Sequence, residues 1–140
     1  MQAIASTIAI RTRRENDIVD LTDPLQAAVA RSGVETGQLV AMVVGSTAAL
    51  STLEYEPGLV GHDVAHALER IAARDSTYVH EQTWHDDNGH SHVRAFLIGP
   101  SLALPIVDGR IPLGTWQQVV LMELDTRARS REVVVSIVGE

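Results

Sequence analysis

The 140-residue chain has no cysteine, which excludes disulfides, thiolate nucleophiles and cysteine-rich zinc sites together. It has no lysine either, so all 11 basic residues are arginine. Schiff-base chemistry is therefore absent, and any phosphate falls to arginine, backbone N–H groups or a metal. Aromatic residues make up 4% of the chain and the net charge is −7. That balance, with no basic stripe interleaved with aromatics, argues against a nucleic-acid partner. No apolar run reaches the roughly 20 residues that cross a bilayer, so no membrane partner is expected. The first residues do not follow the charged-then-apolar plan of a signal peptide, so a cytoplasmic location is expected.

What is present is an ordinary globular composition, 45% apolar. Its length suits one domain, residues 1–140, with enough sequence to bury a core. Ile4, Ile8 and Ile10 alternate with smaller or polar residues and predict a first strand. Asp23-Pro24 predicts a helix start, with Leu21, Leu25, Ala28 and Val29 at helical spacing and Gly33 ending the run. The continuous apolar run Leu39–Val44 predicts a central strand buried on both faces. It stops at Gly45-Ser46-Thr47, a turn able to offer backbone N–H groups and two hydroxyls to an anion, or simply to join two strands.

Alternation through Leu53-Glu54-Tyr55-Glu56 would place Glu54 and Glu56 on one face. Pro57 opens a second helix whose Val60, Val64, Leu68 and Ile71 share a narrow arc facing the core. His62 and His66, four apart, fall on the opposite, solvated side, while Asp63 sits at the rim of the arc, where it could line a pocket. Ser91 can cap a short helix through Val93, Phe96 and Leu97, ending at Gly99-Pro100, with a strand as the competing reading. The last third is strand-rich, with Asp108-Gly109 marking a type I′ hairpin and Pro105 and Pro112 marking an edge or a bulge. The fold expected is α+β: a largely antiparallel sheet, two main helices and a C-terminal β-meander.

The densest chemistry lies between these parts. Four of the six histidines, His80, His85, His90 and His92, fall within thirteen residues, mixed with Asp86 and Asp87. Any one of them alone would be read as structural, but four together favour proton transfer or metal ligation. A His90-x-His92 spacing on extended backbone would send both rings to one side.

The run Asn88-Gly89-His90-Ser91-His92-Val93-Arg94-Ala95 is followed by Gly99-Pro100-Ser101-Leu102, Gly109-Arg110 and Leu113-Gly114-Thr115-Trp116-Gln117-Gln118. With Gly45-Ser46-Thr47-Ala48-Ala49, Glu54-Tyr55-Glu56-Pro57-Gly58 and the closing Val138-Gly139-Glu140, these segments resemble the YjbQ family, also known as UPF0047. The resemblance spans nearly the whole chain. It implies a compact α+β subunit assembled as a homotrimer and a secondary thiamine-phosphate synthase activity, a transferase reaction on small phosphorylated molecules. Some members of that family carry His-Thr-Ser where this chain has Gly45-Ser46-Thr47, which removes one possible ligand.

Three functions stay open at this point. In the transferase, a pyrimidine diphosphate joins a thiazole phosphate and releases pyrophosphate. Glu54, Glu56 and Asp63 would hold magnesium, while Arg94 and Arg110 with Ser46 and Thr47 would hold phosphate oxygens. His80 or His92, with Glu54, would serve proton transfer as catalytic residues. In a metal-dependent hydrolase, His80, His90 and His92 with Asp63 or Glu54 would bind zinc and leave a water position open. In a non-enzymatic binding module, the histidines would merely fix their loop.

Overall fold

The computed structural model describes residues 1–140. Strands β1 (Gln2–Arg11), β7 (Ser130–Gly139), β3 (Thr36–Val43) and β5 (Ser101–Val107) form an antiparallel sheet in the order β1-β7-β3-β5. Strands β2 (Ile18–Asp20), β6 (Gln118–Glu123) and β4 (Ala48–Leu53) form a second antiparallel sheet in the order β2-β6-β4. Helix α1 (Thr22–Ser32) lies with the core between the sheets. Helices α2 (Val64–Ile71) and α4 (Gly89–Ile98) cover the far side of the second sheet, and the single turn α3 (Glu81–Trp84) leads into α4. The fold is therefore α+β, as expected. Its C-terminal strands differ from a meander: β5 and β7 go to the first sheet and β6 to the second.

Two cores follow from this layering. Alternate residues Leu39, Ala41 and Val43 of β3 and Val133, Val135 and Ile137 of β7 point inward onto Leu21, Leu25, Val29, Leu50, Val119 and Leu121. A smaller core joins Ile18, Ala49, Val120 and Met122 to Leu68 and Ala95. The strand buried on both faces is thus β6, with Val119 to Glu123 all buried. The expectation placed that role on Leu39–Val44. Because the first sheet is the outermost layer, Val40, Met42 and Val44 face outward at 38%, 44% and 47% exposure.

Local signals fared better at turns than at helix faces. Asp108 and Gly109 both have positive φ, 51° and 69°, as a type I′ turn requires. Pro105 lies on β5, an edge strand, where its missing N–H costs no ladder bond. The first helix starts at Thr22 rather than at Asp23-Pro24, with Asp20 accepting the Thr22 N–H. A π-helical turn, Leu59–Asp63, precedes α2, and Ile71 is 63% exposed rather than core-facing. No helix is long and apolar enough to cross a membrane.

Candidate functional site

Helix α4 is packed the opposite way from the pattern of its apolar residues. His90, Ser91, Arg94 and Ala95 are buried, whereas Val93, Phe96 and Leu97 are exposed, Phe96 by 83%. The polar face can go inward because its groups meet partners, His90 Nδ1 excepted. The His90 ring nitrogen Nε2 lies 2.5 Å from Glu15 Oε1. Ser91 donates to Asn88 Oδ1 at 2.9 Å. Arg94 donates to the Ala72 carbonyl at 3.0 Å and to Glu69 at 2.8 Å. Gly89 starts the helix where a Cβ would fall 2.3 Å from Tyr78 Cβ, so only glycine lets the chain pass there. Ser91 lies inside the helix and Asn88 precedes its first residue, so Ser91 is not the cap.

Helical geometry also separates His90 from His92. His90 turns into the protein at 1% exposure, while His92 faces out, toward His80. The His80 and His92 rings lie 4.6 Å apart, inclined by 46°. His92 Nδ1 is 3.2 Å from the Ser46 carbonyl. A carbonyl only accepts, so Nδ1 carries a proton and, in the neutral ring, Nε2 has the lone pair.

Around His80, Glu81 Oε1 and Asp86 Oδ1 each lie 3.5 Å from its Nδ1. That nitrogen is buried yet makes no hydrogen bond. One donor atom from each of the three residues falls within 4.8 Å of the others. Ligands about 2 Å from a tetrahedral ion stand roughly 3.3 Å apart, so the spacing suits one divalent cation with positions left open. Glu81 is fixed beforehand, accepting the backbone N–H groups of Asp87 and Gly89 at 2.7 and 3.1 Å. The Asp87 N–H, the Gly89 N–H and His80 hold its carboxyl below the ordinary glutamate range, against the opposing effect of burial.

Beside His92, a cleft of about 310 Å³ runs along Gly45, Ser46, Ala48, Ala95, Phe96 and Pro100. Its size is at the low end for small-molecule sites. Behind it lies a buried polar network. Arg131 donates to Glu123 and to the Thr47 carbonyl and hydroxyl, and the Thr47 hydroxyl donates to Asp125. Burial would raise the Asp125 carboxyl. Hydrogen bonds from Thr47 and Asn88 and the charges of Arg129 and Arg131 outweigh it and hold the group below the usual range.

Of the residues singled out from sequence, the structure brings together His80, His92 and Ser46. It separates the rest. His90 is locked to Glu15 on the inner face of α4. Asp63 pairs with His62 on the exposed side of its turn, where His62 and His66 stack at 5.4 Å. Glu54 is exposed just past β4, because the strand ends at Leu53 instead of continuing. Glu56 is engaged in starting the next helix, accepting the Gly58 and Leu59 N–H groups. Arg94 is consumed in the core, Arg110 is exposed at the Asp108-Gly109 turn, and the Thr47 hydroxyl is saturated by Asp125 and Arg131. Glu81 and Asp86 were missed as donors, although both adjoin the histidine stretch. Arg131 also had a signal: it sits in the inward register of β7, two residues before Val133.

The profile of the family described as "UPF0047 protein YjbQ-like" matches residues 6–140. A UPF0047 protein of Methanothermobacter thermautotrophicus is 33% identical over 140 residues, covering 100% of this chain and 95% of its own. The UPF0047 protein YjbQ of Escherichia coli O157:H7 is 32% identical over 107 residues, covering 76% of this chain and 77% of its own. A crystal structure of a YbjQ-like protein of unknown function from Sulfolobus solfataricus superposes with a TM-score of 0.93 at 32% identity, covering 99% of both chains.

Proposed function

This chain belongs to the YjbQ-like UPF0047 family, and from that premise we propose that it is a cation-assisted transferase acting on small phosphorylated molecules at His80 and His92. The observation that carries this reading is the buried, unpartnered Nδ1 of His80 facing Glu81 and Asp86 at 3.5 Å. An unsatisfied buried nitrogen is costly unless something arrives to meet it. One nitrogen and two carboxylate oxygens suit zinc, and magnesium less well.

The reaction implied by the family resemblance is the secondary thiamine-phosphate synthase step. The thiazole nitrogen of a thiazole phosphate bonds to the methylene carbon of a hydroxymethylpyrimidine diphosphate, and that carbon's bond to oxygen breaks to release pyrophosphate. Bound at His80, Glu81 and Asp86, a divalent cation would supply charge neutralisation for the leaving diphosphate. His92, with Nδ1 anchored on Ser46, keeps Nε2 free to hold or accept a proton beside the cleft. Phe96 and Ala95 offer the apolar wall on which a flat heteroaromatic ring can lie.

A second reading is favoured by the same donor set. Three protein ligands with open positions also serve a metal-dependent hydrolase. Incubating untagged protein and divalent metal with the two thiamine precursors separates the readings by product. Thiamine phosphate with an equal amount of pyrophosphate supports the transferase. Inorganic phosphate without coupling supports hydrolysis. Neither product, in protein that binds the cation, would point to a binding module. Assembly as a homotrimer belongs to the same proposal, supported by the outward apolar row Val40, Met42, Val44 and Val134 on the first sheet.

A further inference from the structure

The proposed reaction needs a seat for phosphate, and the arginines first expected to provide it, Arg94 and Arg110, are respectively engaged in the core and exposed at a distant turn. We infer that the Gly45-Ser46-Thr47 turn and the Nη1 group of Arg131 together form a phosphoryl-binding seat opening onto the His92 cleft. The inference rests on the reading above for the identity of the anion, while its geometry stands independently of the cation donors.

Three observations support it. First, the backbone N–H groups of Gly45, Ser46 and Thr47 make no hydrogen bond within the chain, although those of Val43 and Val44 on one side do. Thr47 is 6% exposed, and an unpaired N–H on a buried residue calls for an acceptor. Successive free N–H groups in a turn are a recurrent anion-binding arrangement.

Second, Arg131 is 4% exposed and uses Nε and Nη2 fully, on Glu123 and Thr47, but Nη1 makes no hydrogen bond. The enclosed side-chain atoms lacking a partner are Nδ1 of His80 and of His90, so Arg131 Nη1 retains an opening. That opening is beside Gly45: a Cβ there would sit 2.6 Å from Nη1. Gly45 also has φ +132°, a conformation that side chains rarely adopt. The missing side chain is what leaves the guanidinium uncovered.

Third, Gly45 and Ser46 share the wall of the cleft with His92, and Arg131, which is not in that wall, reaches it from behind Gly45. A phosphate held at the turn would place the rest of a small molecule along Ala95 and Phe96, beside His92. Glu123 already balances the Arg131 charge, and Arg129 pairs with Asp125. Binding therefore depends on oriented N–H donors more than on net positive charge, which suits a small phosphorylated ligand better than a polyanion.

Amide resonances of ¹⁵N-labelled protein during titration with inorganic pyrophosphate, and separately with inorganic phosphate, test this directly. Saturable shifts centred on Gly45, Ser46 and Thr47 are expected. Tighter binding of pyrophosphate would mark a diphosphate seat, and equal binding a monophosphate seat. Gly45→Ala, which covers Nη1, should weaken binding about tenfold or more, the scale of one lost charge-assisted hydrogen bond. His62→Ala, on the exposed helix side away from the cleft, should bind as wild type. His80→Ala should also retain the anion, so failure of the cation reading would not mimic failure of this one. Shifts elsewhere, shifts that never saturate, or a folded Gly45→Ala that binds unchanged would overturn the inference. If Gly45→Ala does not fold, the wild-type shift map alone decides.

Discussion

The rings of His80 and His92 stand 4.6 Å apart because the turn of α3 and the start of α4 fold back on each other. Glu81 clamps the connection through the N–H groups of Asp87 and Gly89. His92 is held by the Ser46 carbonyl alone, so its removal takes little from the fold. His92→Ala is expected to lower turnover by about 100-fold or more, the range of a lost acid–base group, with a thermal midpoint within a few degrees of wild type. Unchanged turnover with a clearly lowered midpoint would make His92 a peg for the Ser46 turn.

His90 should behave in the opposite way. It is enclosed, bonded to Glu15, which also pairs with Arg74, and so ties the histidine loop to the segment after β1. His90→Ala should cost about 1–3 kcal/mol and several degrees of midpoint while leaving cation binding intact. Calorimetry on the variant, followed by metal titration of the folded fraction, checks both halves.

Acid stability has a defined direction. Asp125 and Asp17 are both held below the ordinary aspartate range. For Asp17, burial acts upward, and the side-chain and backbone hydrogen bonds from Arg13 with its charge overcome it. A depressed carboxylate stabilises the fold above its unfolded pKa of about 3.9, and that contribution is lost as pH falls through the lower folded value. Asp125→Asn should therefore flatten the decline of the thermal midpoint below about pH 4, relative to wild type. An identical acid limb in both proteins would remove Asp125 from the explanation.

How much of this could be read from sequence depends on how far each partner lies along the chain. The first strand with its inward Ile8 and Ile10 and the Asp108-Gly109 turn are written in neighbouring residues, and they appeared as expected. The pairing of His80 with His92 was legible as a cluster. The orientation of α4 was not, because Val93, Phe96 and Leu97 look like a core face until Glu15, Glu69 and the Ala72 carbonyl arrive from distant segments. For the same reason Arg94 read as a ligand-binding residue and Arg131, joined to Thr47 across the sheets, did not.

Assembly is checked by light scattering at micromolar concentration. The expected mass is that of three chains, and Met42→Asp, at the centre of the outward row of β3, should shift it toward one. A monomer mass for the wild type would remove the homotrimer.

The most direct measurement is equilibrium binding of zinc and of magnesium to untagged protein, wild type beside His80→Ala, with His62→Ala as the helix-surface comparison. One divalent ion per chain is expected in wild type and in His62→Ala, and none in His80→Ala, whose fold is verified by its thermal midpoint. Wild-type protein that binds no divalent ion, or a folded His80→Ala that binds as wild type does, would contradict a cation site at His80, Glu81 and Asp86.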